Sequence, residues 1–177
     1  LEDVSGQVRV GHEKVLIDNL RVKDRDSDLH LRYFRMLGSL SDDYSDFLRK
    51  VRIEADVLPG SVLSMQTISH FAPNLEQFTF QSDLTGKVEG TIDHFNVKGL
   101  TFREKASGVS GLVNGSMTGL PDFNNTVLDF KVKDFRFDLD GLGTFIGEWA
   151  PDTKLDLGKL GQGTDFSLDA TVHGTLN

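Results

Sequence analysis

The spacing that most resembles a metal site is Asp24-x-Asp26-x-Asp28, which begins like a calcium-binding loop. A loop of that type requires glycine at its sixth position and a bidentate glutamate at its twelfth. Here the sixth position is Leu29 and the twelfth is Arg35. The residues therefore predict a solvated polar turn rather than a calcium site.

No other group of residues has the spacing of a catalytic or cofactor site. The sequence has no G-x-S-x-G elbow, no phosphate-binding Walker loop and no dinucleotide fingerprint. With 27 acidic residues, carboxylate pairs such as Asp42-Asp43 are expected by chance. The histidines are scattered without an i, i+4 pair, at His12, His30, His70, His94 and His173. We predict that the chain is not an enzyme and binds no metal or cofactor.

Composition excludes several kinds of partner. A net charge of −8 argues against nucleic acid, whose phosphates require clustered Lys and Arg. It argues equally against flat docking on an anionic bilayer, but not against single lipids in an apolar cleft. The 177 residues contain no cysteine and no apolar run of 18 residues, so neither a disulfide nor a membrane-spanning helix is expected.

The sequence repeats itself. Phe-Ala-Pro at 71–73 recurs as Trp-Ala-Pro at 149–151, and Leu-x-x-x-Val-x-Gly-Thr occurs at both 84–91 and 168–175. Repeats of this size bury their apolar faces against neighbouring units. We expect one continuous array with an N-terminal strand repeat at 1–58, a central repeat at 59–138 and the start of the next at 139–177. The array is expected to continue beyond this chain.

Within the repeats, alternating apolar residues predict strands at 4–10, 15–22, 29–37 and 47–58, the last ended by Pro59-Gly60. Helical spacing predicts two short helices near 62–72 and 141–149, capped by Ser61 or Ser64 and by Asp140.

Two strand phrases share an irregularity. Residues 95–102 and 130–137 both read Phe-x-Val-Lys-x-Φ-x-Phe, where Φ is a large apolar residue. In each, the apolar parity slips by one residue after the valine, which predicts a bulge or corner. We expect this slip to turn some apolar side chains outward or to place them at corners. Regularly placed bends would curl the sheet into a groove, whereas two facing sheets would make a closed sandwich with the same periodicity.

The phrases together resemble a known family. Residues 63–75, the stretch 84–102, the Gly-Leu-Pro-Asp turn at 119–122 and the strand at 127–138 are similar to Bacteroidetes-type members of the TamB/AsmA-like superfamily (translocation and assembly module, inner-membrane subunit). The resemblance covers residues 60–176 well and the first 58 loosely. The family's phrase has an acidic residue where this chain has Thr67.

The resemblance implies a mainly β fold, an elongated and strongly curved antiparallel sheet (a "β-taco") with an apolar interior. It also implies the periplasmic part of an inner-membrane-anchored protein of a Gram-negative-type bacterium. The implied partners are phospholipid and, at the far end of the full-length protein, an outer-membrane barrel protein of the BamA/TamA type. Candidate residues lining the lipid groove are Val88, Ile92, Phe95, Val97, Leu100, Phe102, Val113, Met117, Leu128, Phe130, Val132, Phe135, Phe137, Leu168 and Val172.

Three functions follow as hypotheses. The first is a groove segment that carries acyl chains between the inner and outer membranes. The second is a scaffold whose sheet edges template outer-membrane strands by β-augmentation. The third is a repetitive surface or adhesin module with a solid core.

Overall fold

The computed structural model describes residues 1–38, 44–70, 76, 78–120, 122, 125–149 and 165–175, except for the side chains of 44–46 and 149. These ranges contain nine β-strands and three short α-helices. In chain order they are β1 (Asp3–Gly11), β2 (Lys14–Lys23), β3 (Asp28–Leu37), α1 (Tyr44–Lys50), β4 (Arg52–Ser64), α2 (Met65–Ser69), β5 (Gln81–Gly90), β6 (His94–Glu104), β7 (Ser110–Thr118), β8 (Val127–Phe137), α3 (Leu139–Trp149) and β9 (Phe166–Thr175).

All nine strands form one antiparallel sheet in which the spatial order equals the chain order. Each strand pairs with its sequence neighbours, so the sheet is an open meander with β1 at one edge and β9 at the other. The prediction of a mainly β, antiparallel fold is confirmed. The two repeated Leu-x-x-x-Val-x-Gly-Thr phrases lie on β5 and β9, each the first strand after a helix.

A bulge interrupts every even-numbered strand. The predicted irregularities are confirmed, because the register shifts between Val97 and Leu100 in β6 and between Val132 and Phe135 in β8. One residue at each bulge has a left-handed backbone, and the same occurs in β2 and β4. These residues are Asn19 (φ 52°), Gly60 (φ 90°), Gly99 (φ 57°) and Asp134 (φ 49°). Bulges of this kind bend the strand and increase its twist.

The predicted boundaries of β4 were wrong at both ends. Residues 44–50 form the helix α1, although a strand was predicted to begin at residue 47. β4 then continues through Pro59-Gly60 to Ser64, because a proline is tolerated in a strand at a bulge. The predicted repeat boundary at 58–59 falls inside this strand, whereas the one at 138–139 falls between β8 and α3.

The two predicted helices are present. α2 is shorter than the predicted 62–72 and is capped by Ser64, whose Oγ accepts a hydrogen bond from the N–H of Gln66 at 3.2 Å. α3 matches the predicted 141–149 closely, but its first turn is capped by Asp138 rather than Asp140. Asp138 Oδ1 accepts from the N–H of Gly141 at 2.6 Å. The repeated Ala-Pro dipeptides that follow both helices lie outside the described residues.

Few side chains of the described residues are fully buried. The buried apolar residues that belong to strands are Leu20, Leu31, Ala55 and Val97, and the first three form one cluster. The other three lie outside the strands: Val51 and Val109 directly precede β4 and β7, and Leu139 is the first residue of α3. A two-layer sandwich of this size would bury large aromatic residues between its sheets. None of the described phenylalanines is among the buried residues.

Candidate functional site

One face of the sheet carries uninterrupted rows of apolar residues. Residues that lie directly opposite one another in antiparallel strands project to the same face. One row therefore crosses all nine strands and consists of Val8, Ile17, Phe34, Ala55, Val88, Val97, Gly115, Phe130 and Val172. We call this side of the sheet the apolar face.

A second row runs beside the first and also crosses every strand. It consists of Val10, Val15, Met36, Ile53, Gly90, Phe95, Met117, Leu128 and Gly174. A third, shorter row lies after the bulge of β6 and before the bulge of β8, and it consists of Leu100, Val113, Val132 and Ala170. Each row contains one or two positions occupied by glycine or alanine, so the apolar face is uneven in depth.

The opposite side, which we call the polar face, is charged. The row between the two long apolar rows consists of Arg9, Leu16, Arg35, Glu54, Glu89, Asn96, Ser116, Asp129 and His173. Arg35 pairs with Glu54 at 3.6 Å, and Arg52 pairs with Glu89 at 3.7 Å. A hydrogen bond from Lys98 lowers the pKa of Glu89 below its ordinary value. The sheet is therefore amphipathic across its whole width.

The register brings fourteen of the fifteen candidate groove residues to the apolar face. The exception is Ile92, which lies in the turn between β5 and β6. Of the two expected outcomes of the parity slip, the outward orientation is wrong for the strand residues, because each bulge absorbs one residue and restores the parity. Phe135 thus faces Leu168, two residues along β9 from the partner of Val132.

Most of these side chains are only partly covered. Val97 is 6% exposed, but Leu168 and Val172 on the edge strand are 43% and 44% exposed. The phenylalanines of β6 and β8 are half-buried, and Phe137 stacks on Phe166 with ring centroids 5.5 Å apart. In the described part of the chain, no second sheet lies over this face.

The sequence reasoning placed candidate residues only in the second half of the chain and missed the first half. β1 to β4 contribute eight of the eighteen positions in the two long rows. Their signal was present, because the same alternation predicted strands at 4–10, 15–22 and 29–37. The residues missed are Val8, Val10, Val15, Ile17, Phe34, Met36, Ile53 and Ala55.

Two bulges are locked by the neighbouring strand. The N–H of Gly99 donates to Asn114 Oδ1 on β7 at 2.7 Å. The N–H of Asp134 donates to Asp169 Oδ1 on β9 at 3.1 Å. In both cases a side-chain oxygen satisfies the backbone donor that the bulge removes from the ladder. The positions of these bends are therefore built into the sequence.

Acidic turns close the end of the sheet that carries α2 and α3. Asp24 after β2 accepts hydrogen bonds from the N–H groups two and three residues ahead, at 2.9 and 2.7 Å. Glu104, the last residue of β6, does the same at 3.0 and 2.6 Å and is only 3% exposed. Burial raises the pKa of each carboxyl, but the hydrogen bonds outweigh it and both pKa values fall below their ordinary range.

The carboxylate that follows the first of these turns is held more strongly. Arg21 donates to both oxygens of Asp28, at 2.9 and 2.6 Å. This hydrogen-bonded pair lowers the pKa of Asp28 to about 2. The triplet that resembled a calcium loop is thus engaged in a turn and an ion pair. Within the described ranges, no three His, Asp or Glu residues are placed to hold a metal ion.

The comparisons with known proteins do not name a relative. The chain matches no protein-family model, no curated protein and no solved structure. None of the helices in the described part of the chain is long and apolar enough to cross a membrane. Function must therefore be inferred from the amphipathic sheet itself.

Proposed function

We propose that this chain is a segment of a lipid-conducting β-groove, in which the apolar face carries phospholipid acyl chains. The observation that carries the proposal is the apolar face itself, which crosses nine strands without a second layer over it in the described residues. Strands lie about 4.8 Å apart, so the two long rows extend roughly 38 Å. That distance exceeds the ~15 Å thickness of one leaflet of a bilayer core.

The bulges support a groove rather than a flat surface. Each even strand bends at its left-handed residue, so the bends occur at regular intervals across the sheet. Repeated bending in one sense curls a sheet about an axis that runs across its strands. The half-burial of the aromatic residues fits side chains that line the wall of such a trough.

The energetic need for a groove is large. Each methylene exposed to water costs about 0.8 kcal/mol, so a chain of about 15 methylenes costs roughly 12 kcal/mol. An apolar wall removes most of this cost without any catalytic group. The charged polar face and the net charge of −8 keep the exterior hydrated. With the resemblance to the TamB/AsmA-like superfamily, this favours transfer of phospholipid across the periplasm between the inner and outer membranes.

The proposal is tested by lipid binding to two variants of neighbouring residues. Val172→Asp places a charge on the apolar face of β9, whereas Thr171→Asp places the same charge on the polar face of the same strand. Both positions are exposed, so both variants are expected to fold. Native mass spectrometry after incubation with phospholipid should show lipid bound to wild type and Thr171→Asp, and less to Val172→Asp. Equal lipid binding by all three, or none by wild type, contradicts the proposal.

A second candidate function is a scaffold for outer-membrane protein assembly. The observation that favours it is the edge strand β1, whose Val8 and Val10 are 59% and 75% exposed. An open edge can accept an incoming strand by β-augmentation. Photo-crosslinking from position 7 or 9 to a nascent barrel protein tests it. Crosslinks confined to lipid favour the groove.

A further inference from the structure

Four strands share an alternating row of arginine and serine at the end that carries α2 and α3. Arg103 on β6 lies opposite Ser110 on β7, Ser110 lies opposite Arg136 on β8, and Arg136 lies opposite Ser167 on β9. All four therefore project from the polar face. The two arginines are two strands apart, roughly 10 Å between their backbones.

These residues line a cleft of about 460 Å³ between the β6–β7 turn and the start of β9. The Arg103 guanidinium lies over that turn, with Nη2 about 3.8 Å from where a Cβ on Gly108 would be. Arg103 has no ion-pair partner among the described residues. Within the described part of the chain, the ion-pair partner of Arg136 is Asp134 alone, at 3.8 Å, in a pair whose side chains are 68% and 72% exposed. An exposed pair of this kind contributes little, so both guanidinium groups remain available.

Two carboxylates also border the cleft. Asp138 caps α3 through one oxygen, and its other oxygen has no hydrogen bond to any residue that the structure describes. Asp165 is exposed just before β9. The two aspartates would repel a simple anion, whereas a zwitterion could place its negative group near the arginines and its positive group near the aspartates. The cleft is therefore complementary to one negative and one positive group held close together.

An apolar surface adjoins the charged groups. The stacked pair Phe137 and Phe166 lines the same cleft and lies in the register of the apolar face. The arginines project to the polar face and the rings to the apolar face, so the cleft lies at the strand ends, where both sets of side chains line it. A ligand with its charged end on the arginines would meet the aromatic rings around these strand ends. That arrangement suits an amphiphile better than a free ion.

We propose that this cleft binds the phosphate of a zwitterionic phospholipid headgroup, with the ammonium group directed to Asp138 and Asp165. The inference rests on the proposed function for its biological meaning, because it names the headgroup that the groove would accept. Arginine presents a fixed fork of donors that matches phosphate oxygens, and the serine hydroxyls between the arginines supply further donors. The phosphate would lie between Arg103 and Arg136.

The test uses water-soluble headgroups without acyl chains, so that it is independent of the apolar face. Glycerophosphoethanolamine, glycerol phosphate and inorganic phosphate are each titrated into the protein, and binding is followed by NMR shifts of the arginine Nε–H groups. We expect glycerophosphoethanolamine to bind most tightly. Arg103→Gln and Arg136→Gln should each raise its Kd about tenfold, the effect of losing one charged hydrogen bond.

Lys131→Gln is the matched control, because Lys131 is an exposed cation on the polar face of the same strand as Arg136. It should leave the Kd unchanged. Equal weakening by Lys131→Gln would show a general charge effect and overturn the inference. So would unchanged binding in both arginine variants, or inorganic phosphate binding as tightly as the zwitterion.

The two proposals fail separately. If the arginine variants have no effect on headgroup binding while Val172→Asp still loses acyl-chain binding, the headgroup site is wrong and the groove stands. If headgroup binding follows the arginines but no variant of the apolar face alters lipid uptake, the cleft stands and the groove is wrong.

Discussion

Asp substitutions along one row of the apolar face distinguish an open wall from a sealed core. Phe130 and Val97 belong to the same row and flank Gly115, but Phe130 is half-buried whereas Val97 is 6% exposed. Full burial of a phenylalanine contributes about 1.5–3 kcal/mol, so loss of a half-buried ring costs about 1–1.5 kcal/mol. The lower strand propensity of aspartate adds up to about 1 kcal/mol.

Phe130→Asp should therefore lower the free energy of unfolding by about 2 kcal/mol and leave the sheet folded. The new carboxylate can reach water because Phe130 is only partly buried. In a sealed core, truncating the same ring would cost about 3–5 kcal/mol before any charge is buried. Such a loss approaches the whole stability of a typical domain.

The assay is urea unfolding followed by far-ultraviolet circular dichroism. Val97→Asp serves as the internal reference, since an unpaired charge at a buried position should unfold the sheet or nearly do so. Lys131→Asp on the polar face should change the unfolding free energy by less than about 0.5 kcal/mol. If Phe130→Asp is as damaging as Val97→Asp, then Phe130 is enclosed and the reasoning for an open groove is refuted.

Three further predictions concern the turns and close contacts that shape the sheet. Gly115→Ala should lower the melting temperature and reduce the free energy of unfolding by about 2–4 kcal/mol, because the new Cβ would lie 2.0 Å from the carbonyl oxygen of Asp129. Gly143→Ala is the control, since open space surrounds that position, and it should be neutral or stabilising. Glu104→Ala should cost about 3 kcal/mol in chemical denaturation, since it removes three hydrogen bonds from a buried turn, and a loss below about 1 kcal/mol would contradict this assignment. The contribution of Asp28 to the free energy of unfolding should be fully present at neutral pH and should be lost as the pH falls from about 4 toward 2. The reason is that the bidentate arginine holds the pKa of Asp28 at about 2 in the folded chain, against 3.8 in the unfolded chain. Asp28→Asn should flatten this acid decline in melting temperature, and an unaltered slope would exclude the carboxylate as its source.

Sequence patterns predicted the features that depend on a single strand, namely the bulges and most of the strands themselves. The slips after Val97 and Val132 encode bulges directly, because a bulge is the way a strand keeps one face apolar when its parity changes. The alternation in β1, β2 and β3 likewise marked strands. The apolar residues of those strands were nevertheless left out of the candidate groove, since their role depends on the register across the sheet.

The failures have local causes. α1 is only seven residues long, and an apolar run as short as the one at Phe47 fits a helix or a strand equally well. Pro59-Gly60 usually ends a strand, but the register shift between Val57 and Ser61 accommodates both residues within β4. The arginine–serine row joins four strands whose spacings in sequence are unrelated, so no sequence motif could have indicated it.

We propose that the spacing of the repeated phrases would let such a sheet lengthen without losing its apolar face. The two phrases lie on β5 and β9, four strands apart, and each follows a helix at the same end of the sheet. In an antiparallel sheet, an even number of strands returns the chain to the same end with the same direction. The next unit therefore repeats the same inward and outward parity, whereas a unit with an odd number of strands would begin at the opposite end. We infer that four strands and one helix form the unit of growth, and that each added unit extends the apolar rows by roughly 19 Å.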